Sequence, residues 1–453
     1  MNHDNGAGIR SLGRSVAGQR IRQIADRARR SPIAKHAARL MSGRLAAMAI
    51  GIVGAPIVAR LFAPSDYGIA AFFIAMMTIA AGVLPAGYNR AILFPREDRT
   101  AAELLMLTFA ISILLSLGLY LILGIVELAG LTLPGPLAGS ALLWLLPLGA
   151  VLTAMRDAFY VLMIRRQEFG IIAWADVIQS GGTLLSRVLW GLTLGSAAIG
   201  LVLGQFFGVL TGLLLTWVVC GAWLRTTMAG GTISALTRVA AEFSDYPKYR
   251  VSARLAFLAA EQTPVIALGL MYPAATVGFF AMAHRVADLP LQAASRALGD
   301  AILGDAISKR NDSKPLGPSV WKAAAGLAVI GVPTFSLMYL IGGEVLTWFL
   351  GYRWAEAGRI VEILALYLFF TWMNATFAPV FETLRMNKQY MLLYSLNLVA
   401  RIAVFVGCFM AGLDIYATLW AFSIVCAGHS LLSIAVAGFV VRRHDAELRR
   451  GQV

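Results

Sequence analysis

RTTMAGGTISALTRVAAEFSDYPK, residues Arg225–Lys248, is a hydrophilic interruption in a chain whose apolar stretches otherwise recur from Leu45 to Val441. Each apolar stretch is long enough to cross a bilayer, which takes about 20 residues as a helix. The interruption divides them into two sets of six. The expected spans are 40–61, 67–89, 101–127, 138–164, 168–192 and 197–224 before it. After it come 250–271, 275–307, 318–342, 355–384, 389–411 and 414–441.

The connections on either side alternate in charge. With the N-terminus placed in the cytoplasm, the segments assigned inside hold 29 of the 38 Lys and Arg residues. Those assigned outside (62–66, 127–140, 193–198, 271–276, 342–359 and 411–416) hold two, Arg353 and Arg359. Basic connections stay on the cytoplasmic side of a membrane, so this bias orients the chain with both termini inside. Charged residues make up 14% of the sequence, against about 25% in an average soluble domain. A net charge of +14 would elsewhere suggest nucleic acid. Here it sits where it faces anionic lipid headgroups, so membrane lipids and not nucleic acid are the implied partners.

The fold class that follows is an all-α polytopic membrane protein: twelve transmembrane helices in two six-helix lobes. Residues 1–39 form a basic N-terminal extension and 40–224 the first lobe. A cytoplasmic linker covers 225–249, the second lobe 250–441 and a cytoplasmic tail 442–453. An even number of spans per half keeps both halves in one orientation, so the lobes are related by a pseudo-two-fold axis along the membrane normal. A weak internal repeat agrees. Ala55-Pro56-Ile57-Val58-Ala59 precedes Pro64-Ser65-Asp66-Tyr67-Gly68, and Thr263-Pro264-Val265-Ile266-Ala267 precedes Pro273 and Val277-Gly278. The extension carries no apolar core with a cleavage site. It reads either as an amphipathic segment on the inner leaflet or as a disordered basic tail.

Pro56, Pro85, Pro147, Pro264, Pro290, Pro333 and Pro379 fall within or at the ends of spans, where each removes a backbone donor and bends its helix. Gly200, Gly204, Gly208 and Gly212, four residues apart, are expected to pack a neighbouring helix closely. Cys220, Cys408 and Cys426 lie in apolar stretches without metal or disulfide spacing and read as small core residues.

Ionisable groups at bilayer depth cost about 2.5–3.5 kcal/mol on insertion scales, so they face the interior and often mark a substrate path. At 100° per residue four spans carry a polar stripe. The fourth has Thr153, Arg156, Asp157 and Tyr160. The fifth has Asp176, Gln179, Ser180, Thr183 and Arg187. The eighth has His284, Arg285, Asp288, Gln292, Ser295 and Arg296, and the eleventh Tyr390, Tyr394, Asn397 and Arg401. Together they predict a water-filled cavity lined from both halves. The alternative is hydrogen bonding that glues the bundle. The arginines favour an anionic ligand, because guanidinium pairs phosphate bidentately and stays charged. The candidate substrate-binding residues are Arg156, Arg187, His284, Arg285, Asp288, Gln292, Asn397 and Arg401. Glu261 is the candidate proton or cation site, unless it pairs with a neighbouring arginine. No catalytic residues, metal ligands or cofactor are expected. Glycine-rich phosphate loops, HExxH and GxSxG are missing, and His3, His36, His284, His429 and His444 have no metal spacing.

Three stretches resemble the bacterial oligosaccharide-lipid flippases, the polysaccharide-export branch of the multidrug/oligosaccharidyl-lipid/polysaccharide exporter superfamily. They are Arg60-Leu61-Phe62-Ala63-Pro64-Ser65-Asp66-Tyr67-Gly68, the pair Tyr246-Pro247-Lys248-Tyr249 and Gly278–Val286 with Pro290, and Phe349-Leu350-Gly351-Tyr352-Arg353-Trp354-Ala355-Glu356-Ala357-Gly358. The basic extension is longer than that family's usual start. The resemblance implies a two-lobed bundle in the bacterial inner membrane with a central cavity that opens alternately to cytoplasm and periplasm. It also implies a polyprenyl-pyrophosphate-linked oligosaccharide as substrate, moved outward for surface polysaccharide, with polysaccharide polymerase and export machinery as further partners. A multidrug antiporter of the same superfamily would favour an acidic cavity. A membrane glycan polymerase or ligase would need a large outer loop, which the 342–359 connection does not offer.

Overall fold

The computed structural model describes residues 32–195, 197–227, 233–384 and 386–450; side chains at some of these positions, including 32–40 and most of 289–311, lie outside that set. Twelve long helices account for most of it: α1 (Pro32–Leu61), α2 (Pro64–Val83), α3 (Asp98–Leu128), α4 (Leu146–Arg165), α5 (Phe169–Thr193) and α6 (Ala198–Thr227) form one lobe. The other holds α7 (Val251–Met271), α8 (Ala274–Asn311), α9 (Gly317–Leu350), α10 (Ala355–Asn374), α11 (Asn387–Met410) and α12 (Ile415–Arg449). The described residues contain no strand. Ten of the helices are long and apolar enough to cross a membrane. The two that fall short, α5 and α8, carry two of the polar stripes. Twelve crossings return the chain to the face on which it started, called here the terminal face; the opposite one is the distal face.

The helix ends follow from local chemistry. Asp66 accepts from the Ala63 backbone N–H at 3.0 Å, which caps α2, and Pro64 occupies its first turn, where a missing N–H costs nothing. Asp414 caps α12 by accepting from Ala417 N at 2.9 Å. Pro56, Pro264 and Pro333 lie inside helices, as expected. Pro85 does not. The span expected to run to residue 89 stops at Val83, and Ala86 (φ 49°) and Gly87 (φ 78°) turn the chain into a short helix, Tyr88–Ala91. A left-handed pair directly after a proline ends a helix instead of bending it.

The four-residue glycine ridge of α6 seats α5. A Cβ on Gly200 would lie 2.1 Å from Trp190, one on Gly204 2.4 Å from Arg187, and one on Gly208 1.8 Å from Thr183. Gln179 and Thr183 of the fifth-span stripe therefore pack within the first lobe and do not line a cavity.

Between the lobes, α2 runs against α7 and α8. Gly68 and Gly278, equivalent positions in the internal repeat, meet where the first turns of α2 and α8 cross. A Cβ on Gly68 would lie 1.7 Å from the Ala274 carbonyl, and one on Gly278 1.9 Å from the Pro64 carbonyl. The outer connection expected over 342–359 is far shorter, because α9 continues to Leu350 and only a turn at Gly351 (φ 100°) separates it from Trp354. That turn drives Trp354 between the lobes, fully buried. Its ring packs edge-on against Tyr67 (5.0 Å) and Phe279 (6.0 Å).

On the terminal face the inter-lobe linker contains a helix, Ile233–Glu242, that docks on the first lobe. Val239 is buried there and the Tyr88 hydroxyl donates to the Ala240 carbonyl at 3.1 Å. Glu103, 1% exposed, joins Arg99 (3.2 Å) to Arg238 of the linker helix (3.1 Å). In the second lobe Asp445 accepts from the backbone N–H groups of Leu316 and Gly317 at 2.8 and 2.9 Å, fixing the end of α12 against the start of α9.

Candidate functional site

Pro264 has no N–H to offer the carbonyl four residues earlier, so the Ala260 oxygen is left without a helical partner. Arg401 of α11 takes it: Nη1 donates to Ala260 O at 2.7 Å and Nε to Asn397 Oδ1 at 3.2 Å. The guanidinium also lies over the Phe422 ring, 5.7 Å from its centroid. Arg401 is thereby held at one wall of a chamber of about 620 Å³ between the lobes. Asn397, 92% of its surface covered, supports Arg401 from behind.

Two more arginines complete the cationic lining. Arg187 reaches it from α5, its stem lying over Gly204 where no side chain intervenes. Its Nε donates to Leu201 O at 3.2 Å and Nη2 to Gln205 Oε1 at 3.5 Å. Arg285 enters from α8 and crosses toward α1; a Cβ on Gly51 would lie 3.8 Å from its Nη2. Neither Arg187 nor Arg285 forms an ion pair with a described carboxylate. Two like charges from opposite lobes thus line one chamber, where an anion held between them would relieve their repulsion.

His284 lines the same chamber, its ring stacked between Phe280 (5.7 Å) and Tyr367 (6.2 Å). Glu261 and Asp288 lie on the lining as well. Glu261 makes no ion pair with a described arginine. Three guanidiniums stand against two carboxylates. Tyr67 and Tyr367 add aromatic surface with hydroxyl groups, the combination that binds sugar rings and their hydroxyls.

Of the eight residues predicted to bind substrate, Arg187, His284, Arg285, Asp288 and Arg401 share this chamber, with Asn397 behind Arg401. Arg156 does not join them. It lies in a second cavity nearer the terminal face, where Asp176 (2.7 Å) and Asp157 (3.2 Å) both bind it. The single cavity expected from the stripes is two, because Gln179 and Thr183, between Asp176 and Arg187 on α5, are spent on the α6 ridge. The side chains of Gln292, Ser295 and Arg296 lie outside the described residues. Tyr390 and Tyr394 bond to each other (3.0 Å) and line neither cavity. The pattern missed Tyr67 and Tyr367, whose signal is only an aromatic residue on an inward face.

A two-lobed bundle of twelve helices with an arginine-lined chamber between its lobes is the architecture of a membrane transporter. Residues 57–359 match the family described as polysaccharide biosynthesis protein, and the chain belongs to that family. It is 22% identical, over 317 residues, to the succinoglycan biosynthesis transport protein ExoT of Rhizobium meliloti (strain 1021). The match covers 69% of this chain and spans 62% of the length of that relative. Among solved structures, the lipid II flippase MurJ in an inward closed conformation superposes with a TM-score of 0.64 at 11% identity, covering 91% of this chain and 90% of MurJ. An inward-facing multidrug resistance transporter of the MATE family, within the MOP superfamily, gives 0.60 at 17% identity, covering 91% and 96%. A MOP superfamily transporter from Pyrococcus furiosus with a binding pocket of reverse polarity gives 0.58 at 15%, covering 92% and 96%. These likenesses show that the chain shares the fold of those transporters.

Proposed function

We propose that the protein is a flippase that moves a polyprenyl-pyrophosphate-linked oligosaccharide across the bacterial inner membrane by alternating access, for surface polysaccharide synthesis. The observation that carries this reading is the meeting of Arg187 and Arg285, from opposite lobes and without carboxylate partners, in one chamber. A diphosphate bridging them is stabilised by two charge-assisted forks and neutralises their repulsion. Arg401, His284, Asp288, Asn397 and, from the polar stripe, Gln292 are assigned to the same ligand path. The tyrosines face the sugars. A chamber of about 620 Å³ holds a headgroup, and the polyprenyl tail stays in the bilayer.

The basic connections support a cytoplasmic terminal face. In this reading the Gly68–Gly278 crossing and Trp354 seal the periplasmic side, and substrate leaves when they part. The lobes comprise 40–224 and 250–441, and the linker 225–249 moves with the first lobe through Glu103, Arg238 and Tyr88. Glu261 is assigned the coupling proton or cation. Names of relatives support a polysaccharide role: one is a succinoglycan transport protein and another a lipid II flippase. An antiporter for cationic drugs is disfavoured by the three arginines.

Deleting the gene tests the proposal. Lipid-linked repeat units should accumulate on the inner leaflet while their synthesis continues. Normal export of the polysaccharide in the deletion strain would refute it, and accumulation of unpolymerised units on the outer leaflet would indicate a polymerase.

A further inference from the structure

The second cavity, of about 690 Å³, is lined by Arg44, Arg90, Arg156 and Arg254 with Asp157 and Asp176 as its carboxylates. Both aspartates are bound to Arg156, at 3.2 and 2.7 Å. This leaves the other three arginines without an ion-paired carboxylate among the described residues. Arg44 of α1 donates to the Tyr160 hydroxyl. Arg254 of α7 stands 5.6 Å from the Phe257 ring centroid and within range of the charge of Arg90. Arg90 belongs to the first lobe and Arg254 to the second.

Basic residues on a terminal face ordinarily orient a membrane protein and remain in water. Here Arg44, Arg90 and Arg254 are exposed but line one cavity between helices with Arg156, whose guanidinium is already fixed in place by two aspartates. Fixing it costs nothing further when a ligand arrives. Like the central chamber, this cavity presents uncharged polar groups, Asn89 and Tyr160, beside the cations.

We propose that this cavity is a second anion site, an entry station at the terminal-face mouth that binds the phosphate or diphosphate of a lipid headgroup before the central chamber does. Arg90 and Arg254 clamp the anion from opposite lobes, and Arg44 and Arg156 complete the cation ring. The site rests on the flippase reading for its place in transport but not for its binding chemistry. Two stations of like charge in series let the anion pass from one to the next without a bare desolvated step.

The test uses the full-length protein in phosphatidylcholine nanodiscs with inorganic pyrophosphate as probe. The wild-type protein should bind two pyrophosphates per chain. R90Q/R254Q should lose one and keep the other, with the lost site weakened about ten-fold or more. R187Q/R285Q should show the reverse. R90K/R254K, retaining charge, should recover part of the affinity and serves as the folding control alongside unchanged thermal melting. Phosphatidylglycerol in the nanodisc separates the two sources of headgroup. Displacement of the probe from the entry station identifies bulk anionic lipid as an occupant, and unchanged binding identifies the diphosphate. Identical stoichiometry and affinity in wild type and R90Q/R254Q would overturn the proposal. Loss of binding in R90Q/R254Q with no effect of R187Q/R285Q would keep the entry station and remove the central diphosphate site.

Discussion

The indole Nε1 of Trp354 donates to the Ala59 carbonyl at 2.9 Å, tying the outer turn of the second lobe to the last turn of α1 in the first. Carbonyls in the last turn of a helix have no partner within it, and the Ala63 N–H that would have met Ala59 is taken by Asp66 instead. Trp354 also packs edge-on against Tyr67, so two of the sequence stretches that carry the family resemblance, Arg60–Gly68 and Phe349–Gly358, meet across the lobes.

Removing the contact should favour the conformation open at the distal face. Trp354→Phe keeps the ring and loses the donor, a change of about 1 kcal/mol. Trp354→Ala also empties the packing site, at about 3–5 kcal/mol. With Cys220, Cys408 and Cys426 replaced, a cysteine at Ala70, on the chamber wall, reports the opening. Its labelling from the distal side should accelerate slightly in W354F and strongly in W354A. Equal rates in all three proteins would show that Trp354 does not hold the lobes together.

Gly68→Ala and Gly278→Ala each place a methyl within 2 Å of a backbone carbonyl across the lobe boundary. No side-chain rotation relieves such a clash, so distal closure and transport should fail while insertion is normal. Gly118→Ala, which meets nothing within 4 Å, should behave as wild type. Wild-type transport in either variant would mean that the lobes do not need this approach.

Glu103→Gln tests the linker clamp. Neutralising the buried carboxylate weakens two charge-assisted bonds at once, at a cost of about 1–3 kcal/mol, because both arginines stay more than half solvated. Arg99→Gln removes a partner that is largely solvated, at about 0–1 kcal/mol. Thermal unfolding in detergent should rank E103Q well below R99Q, which should stay near wild type. Equal melting temperatures would indicate that the linker helix is not anchored there.

Single cysteines at Ser65, Gly135 and Ala274 should react with an impermeant reagent added from the periplasm, and one at Ser313 should not. The opposite pattern would invert the assigned topology.

The number, order and rough extent of the helices were legible because apolar runs and charged connections report membrane crossing directly. The charged part of the chamber lining was legible too, since Arg187, Arg285 and Arg401 stand out on apolar spans. What could not be read was which stripe residues share a space. Arg156 has the same spacing signal as Arg187, yet its neighbours Asp157 and Asp176 hold it in a different cavity. Gln179 and Thr183 match the stripe but face α6, because glycines on the partner helix, not on their own, decide which face is filled. The ending of α2 turned on whether Pro85 bends or stops a helix, which depends on the left-handed residues that follow it. The bond from Arg401 to Ala260 joins residues 141 apart in sequence. Pro264 frees that carbonyl, but only the fold says what takes it.

The central claim is that opposing arginines carry a diphosphate-linked glycan across the membrane, and reconstituted vesicles measure it most directly. With purified protein and a fluorescent polyprenyl-diphosphate-linked oligosaccharide in the inner leaflet, the wild type should expose the glycan to an external lectin over time. R187A/R285A, inserted to the same level, should slow exposure by about ten-fold or more, the equivalent of one lost charge-assisted hydrogen bond. Exposure by R187A/R285A at the wild-type rate, or no exposure by the wild type above empty vesicles, would contradict the account.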